Sequence, residues 1–400
     1  MAVIDFFFWV VGGLLIFAIA YLYFLAAVSL FTPRAGIPSQ EPTTRFTILI
    51  PAHNEAKIIK KTLESIRRVH YPPSLFNTLV IADNCTDKTA QIAQEFGIRC
   101  LERTDKKRQG KGFALEWTCE RLKESQELEG YDAVVMIDAD TILAPGFLNA
   151  IDSRIKEGEI AIQGYYDVIN PEASPMASLS YLGFVLSRNF RYKGRTRLGW
   201  SSNLLGSGMC FSKEVIRRFG WTATSIVEDV EYAVMLNLNG IKVSFAPEAR
   251  VYAEIPATFK EGKIQRSRWD IGKFQIRNRY VPRLLKEAIR KRDASYLDTA
   301  MELLIPPFSL FLILCFVFFG LFMAVSYDGI SALSAVWFAI VLSISAYVLI
   351  GLVIAKAHWK TYANLIYAPF FLIWRIGTLL WGYVFNVGKQ WLKTARKGVL

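Results

Sequence analysis

Two carboxylates one residue apart, Asp138 and Asp140, follow the apolar run Val134-Val135-Met136-Ile137. A short apolar run bounded by polar residues reads as a strand buried on both faces. Open α/β sheets place their ligands at the C-terminal ends of such strands. Side chains at i and i+2 of an extended segment point the same way. The pair could therefore converge on one hard cation and leave positions for phosphate oxygens. Taken by itself, Asp-x-Asp reads equally as a strand ending in a solvated acidic turn. Other polar groups follow other apolar runs. Pro51-Ala52-His53-Asn54-Glu55 ends the run from Phe46, and Asp83-Asn84 ends Leu79-Val80-Ile81-Ala82. Glu228-Asp229 opens a helical stretch, and Gln265-Arg266-Ser267-Arg268-Trp269 comes later. In a helix, Gln265, Arg268 and Trp269 share one face.

The segments between these groups set the expected fold. Phe46–Pro51, Leu79–Ala82, Ile98–Leu101 and Val134–Ile137 read as strands. Between them lie an amphipathic helix bearing Ile58, Ile59, Leu63 and Ile66, a helix over Lys88–Phe96, and one starting at Gly112 after the basic loop Lys106–Lys111. Strands alternating with helices predict an α/β domain with a doubly wound, mixed but mainly parallel sheet. Further on, Ala161–Tyr166 and Ile241–Phe245 are expected strands, with a helix over Val230–Leu238. Leu204–Cys210 is a glycine-bearing turn that would let a ligand approach the backbone. Ser187–Gly199 carries five basic residues and is expected to be a mobile loop or interfacial turn.

Apolar residues pool at the two ends of the chain. Phe6–Thr32, Leu303–Tyr327 and Gly329–Ala355 carry no charge and are long enough to span a bilayer. The last two form a hairpin joined at the polar turn containing Asp328. Thr361–Gly388 is interrupted by Pro369 and Arg375. It reads as re-entrant or interfacial in preference to a fourth span, because a span would carry the basic tail Lys389, Lys393, Arg396 and Lys397 outside. The formal charge is +12. Lys260–Asp293 holds twelve Lys/Arg against four Asp/Glu. Basic charge beside apolar spans reads as contact with anionic membrane lipid, which argues against nucleic-acid binding. The positive-inside rule puts the N-terminus outside and the domain that follows in the cytoplasm of an integral membrane protein of the plasma or inner membrane. The five cysteines form no CxxC pair and the three histidines are scattered, so no zinc site is expected. The expected units are 1–33, an N-terminal transmembrane helix; 34–45, a linker; 46–258, a cytosolic domain; 259–300, basic interfacial helices; 302–356, a transmembrane hairpin; and 361–400, the re-entrant or fourth transmembrane segment with its tail.

Together, Asp83, Asp138-Ala139-Asp140, Glu228-Asp229 and Gln265-x-x-Arg268-Trp269 resemble the D, DxD, ED and QxxRW motifs of the membrane-embedded family 2 inverting glycosyltransferases. Cellulose, chitin, hyaluronan and poly-N-acetylglucosamine synthases belong to that branch. The resemblance covers about residues 46–270 and implies a GT-A fold and a UDP-sugar donor. It makes Asp138 and Asp140 the ligands of Mg²⁺ or Mn²⁺ on the diphosphate, with Asp140 the more direct. Pro51, Ala52, Asn54, Glu55, Asp83 and Lys111 would line the nucleotide site. Asp83 would accept a hydrogen bond from uracil, and Lys111 would face the nucleotide from a helix start. Asp229 would be the general base, its pKa raised beside Glu228 in a water-poor site. Arg268, with Gln265 close by, would brace the leaving diphosphate. Trp269 would stack on the acceptor, near Glu228, Gly206 and Ser207. The Leu204–Gly208 turn keeps the family's aromatic and Cys-Gly-Ser pattern only in part, which leaves the acceptor open.

The expected reaction is sugar transfer to a growing polysaccharide. Single transfer to a lipid or lipid-linked acceptor is the alternative, because few spans are present. A homo-oligomer or an accessory membrane or periplasmic subunit could supply more channel wall. A non-catalytic sugar- or nucleotide-binding membrane protein is the reading of another class, and the intact acids argue against it.

Overall fold

A computed structural model of the chain describes residues 2–31, 41–325 and 331–385. The Asp328 turn, the four basic tail residues and most of the expected linker lie outside the described residues. One eight-stranded sheet organises the middle of the chain. Its strands are β1 (Phe46–Ala52), β2 (Phe76–Asp83), β3 (Arg99–Arg103), β4 (Ala133–Met136), β5 (Ile142–Leu143), β6 (Ala161–Val168), β7 (Met209–Ser212) and β8 (Ser244–Ala253). Their order is β3-β2-β1-β4-β7-β6-β8-β5. The first four are parallel neighbours, β7 runs antiparallel to both β4 and β6, and β8 pairs parallel with β6 and antiparallel with β5. The mixed, mainly parallel sheet is as expected.

Every residue of β1 and β4 is buried. Helices must therefore cover both faces. Ile59, Leu63 and Ile66 pack on one face, with Ile48, Ile50 and Val135; Leu115, Cys119, Leu122 and Trp221 pack on the other, with Leu49, Val134 and Met136. Burial of this kind contributes roughly 1.5–3 kcal/mol per large aliphatic side chain. The parallel register brings the C-terminal ends of β1, β2 and β4 to one edge. Because β7 is antiparallel to β4, with Met136 opposite Met209, the chain entering β7 (Gly206-Ser207) meets the chain leaving β4 (Asp138).

Among the described residues, four helices are long and apolar enough to cross a membrane: Val3–Leu30, Phe308–Val325, Ala332–Ile354 and the run Trp359–Val384. The second begins later than expected. Residues Ala294–Leu304 form a separate helix that stops before Pro306-Pro307, where the ring and the missing N–H break helical continuity. The final run is a continuous helical segment in which Pro369 sits in the first turn of the helix Ala368–Val384, where proline is tolerated. Val3–Leu30 packs its Phe8, Leu15 and Ile19 with Trp337, Ile340 and Ile344.

The expectation of a mobile loop at Ser187–Gly199 is corrected. Ser187–Tyr192 is one turn of π-helix, followed by the helix Lys193–Arg197, and Arg188 and Arg195 are buried. Charge density suggested solvent, but the partners lie far away in sequence. Arg195 reaches Asp298 Oδ2 at 2.9 Å and Glu302 Oε2 at 2.7 Å, and Arg191 reaches Glu302 at 2.7 Å. Tyr21 of the apolar helix Val3–Leu30 donates to Asp298 at 2.6 Å. Burial pushes the Glu302 carboxyl up, but Arg191, Arg195 and Lys273 pull it down further, to well below the usual carboxylate range. Removing one member leaves buried charge uncompensated. Glu302→Ala is expected to destabilise the fold by about 3–5 kcal/mol. Thermal unfolding in detergent checks this; an unchanged midpoint would mean that the cluster does not tie the soluble and membrane parts together.

Candidate active site

The sequence-predicted groups line one cavity of about 1130 Å³. Single small-ligand pockets run roughly 300–1,000 Å³, so this one lies just above the upper end of that range. It begins at the strand ends, with Pro51, Ala52, Asn54, Glu55 and Asp83. It passes Lys111, Asp138, Asp140, Gly206, Glu228 and Asp229, then Gln265, Arg268 and Trp269, and ends among the long apolar helices. Ser207, another expected site residue, is fully buried behind the wall and positions rather than lines it.

Asp138 and Asp140 do not converge as an extended pair. β4 ends at Met136, and Asp138–Thr141 is a turn closed by the Thr141 N–H on the Asp138 carbonyl at 3.1 Å. The Asp138 N–H donates to Ser207 Oγ at 3.0 Å, and Ser207 Oγ lies 2.8 Å from Thr141 Oγ1. Ser207 thus pins the acidic turn to the β7 approach. Gly206 has φ +80, and a Cβ there would sit 3.4 Å from both Asp229 Oδ2 and Lys111 Nζ. Only glycine takes that backbone conformation without strain and keeps the space clear.

Lys111 begins the helix Lys111–Glu124. Its ammonium donates to Asp138 Oδ1 and to the Gly206 carbonyl, both at 2.5 Å, and lies 3.7 Å from Glu228 Oε1. It is thus a cation held among carboxylates. Burial lowers its pKa, but Asp138 and Glu228 outweigh that and raise it. Glu228 and Asp229 open the helix Glu228–Leu238. Burial raises both, and Asp229, further raised by Glu228, is pushed up to about 7. A carboxyl that changes charge near neutral pH suits proton transfer.

Arg268 and Trp269 lie on the helix Phe259–Lys291. Burial pulls the Arg268 pKa down, against Glu228, Asp229 and Asp138, which raise it. The Trp269 ring meets Phe184 edge-on at 6.1 Å. This helix packs over the site, burying Ser267, Asp270, Gly272 and Ile276.

At the nucleotide end, Asp83 is buried and its Oδ1 accepts from Arg103 Nη1 at 2.6 Å and from Asn84 Nδ2 at 3.0 Å. Asn54, with φ 56, ties the ends of β1 and β2: its Oδ1 accepts from the Thr86 N–H at 2.7 Å. Arg103 was missed in the sequence because β3 runs two residues past its expected end; the register sets Arg103 opposite Asp83. Gln163 was also missed. It accepts from the Leu205 N–H at 2.8 Å and donates to the Ser207 carbonyl at 2.9 Å, so it holds the glycine turn in place. An alternating strand pattern gives no sign of that task.

No group of three or more His, Cys, Asp or Glu side chains arranged to hold a metal occurs among the described residues. Asp138 and Asp140 nevertheless suit Mg²⁺ or Mn²⁺, which bind through one or two carboxylates plus substrate phosphates. Lys111 already pairs with Asp138 at 2.5 Å, so a metal there would share that carboxylate with the ammonium.

Acids gathered at the C-terminal strand ends of a mixed, mainly parallel sheet stand where such sheets bind ligands, and sequence comparison gives the family. Residues 42–272 match the model "Glycosyltransferase like family 2", so the chain belongs to that glycosyltransferase family and is an enzyme of that class. The probable glycosyltransferase YdaM of Bacillus subtilis is 25% identical over 252 residues, covering 59% of this chain and 56% of YdaM. A poly-beta-1,6-N-acetyl-D-glucosamine synthase of Staphylococcus aureus is 22% identical over 279 residues, covering 67% and 63%. A probable glucomannan 4-beta-mannosyltransferase of Arabidopsis thaliana is 26% identical over 242 residues, covering 56% and 42%. The chain spans about half the length of the curated relatives it matches. Among solved structures, the mannosyltransferase PcManGT from Pyrobaculum calidifontis, in complex with GDP-Man and Mn²⁺, shares the fold, with a TM-score of 0.58 and 17% identity over 94% of this chain and 99% of that one.

Proposed function

We propose that this protein is a membrane-bound inverting glycosyltransferase that moves a sugar from a UDP-sugar to an acceptor hydroxyl, with Asp229 as the base. The observation that carries this reading is the gathering of Asp138, Lys111, Gly206, Glu228 and Asp229 in one cavity that runs from the strand ends to the membrane helices. Asp83 would take a uracil N–H, Arg103 and Asn84 holding its carboxylate in place. Asp138 and Asp140 would hold Mg²⁺ or Mn²⁺ on the diphosphate, where it supplies Lewis-acid stabilisation of the leaving group. Lys111 and Arg268 would face the same phosphates and stabilise the charge that develops there. Asp229 takes the acceptor hydroxyl proton as the oxygen bonds to the anomeric carbon. The bond from that carbon to the diphosphate oxygen breaks, UDP leaves with the electron pair, and the configuration inverts.

The sequence resemblance favours a growing polysaccharide as acceptor, and two relatives are named as polysaccharide-forming enzymes. Single transfer to a lipid-linked acceptor is favoured by a different observation, the apolar lining where the cavity enters the membrane helices.

The test is UDP or GDP release by purified protein in detergent, with Mn²⁺ or Mg²⁺ and a panel of UDP-sugars plus GDP-mannose. At least one UDP-sugar should turn over about 10²–10³-fold faster than with Asp140→Ala. If no donor exceeds the variant, the catalytic reading fails; if only GDP-mannose does, the uracil assignment fails.

A further inference from the structure

Beyond Trp269 the cavity changes character. Its donor half is lined by carboxylates. Its membrane half is lined by Phe308, Leu312, Phe316, Val348, Leu349 and Phe371, with Ser309 and Ser345 among the few hydrogen-bonding side chains. A neutral glycan threading this part would leave its hydroxyls without partners, at a cost for each. An aliphatic chain would bury apolar surface there at no such cost.

Two cations stand at the boundary between the halves. Arg266 and Lys273 are seven residues apart on the helix Phe259–Lys291, about two turns, so both can face the cavity they line. Among the described residues neither has a carboxylate within ion-pair distance. Lys273 Nζ donates to the Ile305 carbonyl at 2.9 Å, and Arg266 lies over the Trp269 ring at 5.4 Å. Asp270, between them in sequence, is held by Arg375 Nη2 at 2.9 and 2.7 Å. Of the neighbouring arginines, Arg191 pairs with Glu302 at 2.7 Å, and Arg188 lies 3.5 Å from Asp167 and over the Tyr165 ring at 4.7 Å. Burial pushes Lys273 down to about 8, and burial with the nearby Arg375 pushes Arg266 down to about 9. Two half-buried cations with no carboxylate in direct contact among the described residues, next to an apolar channel, match an amphiphile with a negative head.

We propose that Arg266 and Lys273 are the headgroup site of a phosphate-bearing lipid whose chain lies along Leu312, Phe316, Val348 and Leu349, and that this lipid carries the accepting hydroxyl. The second half of the proposal rests on the glycosyltransferase reading; the lipid site does not. It selects an anionic lipid carrier over a free neutral glycan, with the hydroxyl presented past Trp269 toward Asp229.

The test is lipid retention by native mass spectrometry on the full chain purified in neutral detergent. The probes are phosphatidylglycerol and undecaprenyl phosphate, with phosphatidylcholine as control and inorganic phosphate and UDP as competitors. The wild type should retain one or both anionic lipids about thirtyfold better than phosphatidylcholine, on the scale expected for two basic residues facing a headgroup. The better retained probe identifies the chain type. Arg266→Gln/Lys273→Gln should bring the preference to near unity while UDP binding is kept; Arg266→Lys should keep most of it, which guards against a folding defect. No preference in the wild type, an unchanged preference in the double variant, or displacement by inorganic phosphate or UDP as effective as by lipid would each overturn the proposal. Asp229→Asn should retain lipid like the wild type, so a failed transferase reading would show in UDP release and leave lipid retention untouched.

Discussion

Asp229→Asn is expected to lower sugar transfer by about 10²–10⁴-fold, the range for loss of a positioned general base, while leaving UDP binding in place. The geometry supports a specific pH signature as well. The Asp229 Oδ1 accepts from the Val230 N–H at 2.8 Å at the start of a helix, which favours the anion. Burial and Glu228 oppose this and prevail, leaving the carboxyl at about 7. A base works only when ionised, so kcat/KM should rise as pH increases through about 7, and that limb should be absent from the residual activity of the Asn variant. The same shift sets the sign of a stability effect. The folded-state pKa lies above the unfolded value of about 3.9, so between the two the folded protein binds more protons. Ionisation of Asp229 therefore costs stability as pH rises through that window. Asp229→Asn removes this cost. Its unfolding midpoint should match the wild type near pH 4 and exceed it at pH 8. A variant that is inactive but no more stable at pH 8 would show that the pocket does not strain the carboxylate.

Much of this site was legible from residue type and order. Buried strands are readable because β1 and β4 are apolar on both faces, and the acids stand out because each directly follows such a run. The helix carrying Gln265, Arg268 and Trp269 was legible from its basic, amphipathic composition. The failures share one physical cause: charge was read locally. Arg188, Arg191 and Arg195 looked like a solvated loop, yet their partners Asp167, Asp298 and Glu302 come from other elements, and only the fold brings them together. Arg103 and Gln163 were missed for the same reason. Their roles follow from strand register, which one sequence does not display. Asp138 and Asp140 reach the cavity from a turn and not from an extended strand, and Ser207 from the antiparallel β7 side holds the Asp138 N–H.

The second large effect concerns the last helix, which carries no expected site residue. Asp270→Ala is expected to cost about 3–5 kcal/mol of stability, since Arg375 is left charged and buried without its partner. Both side chains are almost fully buried, at 0% and 2% exposure, and Arg375 Nε also donates to Ser309 Oγ at 3.0 Å. Three residues earlier, Ser267 Oγ donates to the Thr378 carbonyl at 2.9 Å, and Gly382 lies so close that a Cβ would approach the Ser267 Cβ to 2.8 Å. Ser267 and Asp270 thus clamp one face of the helix to the last segment, while Gln265, Arg268 and Trp269 line the cavity. Rotation of that helix would move Arg268 and Trp269 together. Misplacement by about 1 Å can cost roughly 10²-fold in rate, so Asp270→Ala should lower kcat by that order with the pH profile of Asp229 unchanged. Asp270→Leu/Arg375→Met separates the two contributions. An apolar pair of similar volume is often neutral or stabilising in place of a buried ion pair, so the unfolding midpoint should recover. Turnover should stay low, because apolar contact does not fix rotation about the helix axis as a bidentate ion pair does. Full recovery of kcat in the double variant would mean that packing alone positions Arg268 and Trp269.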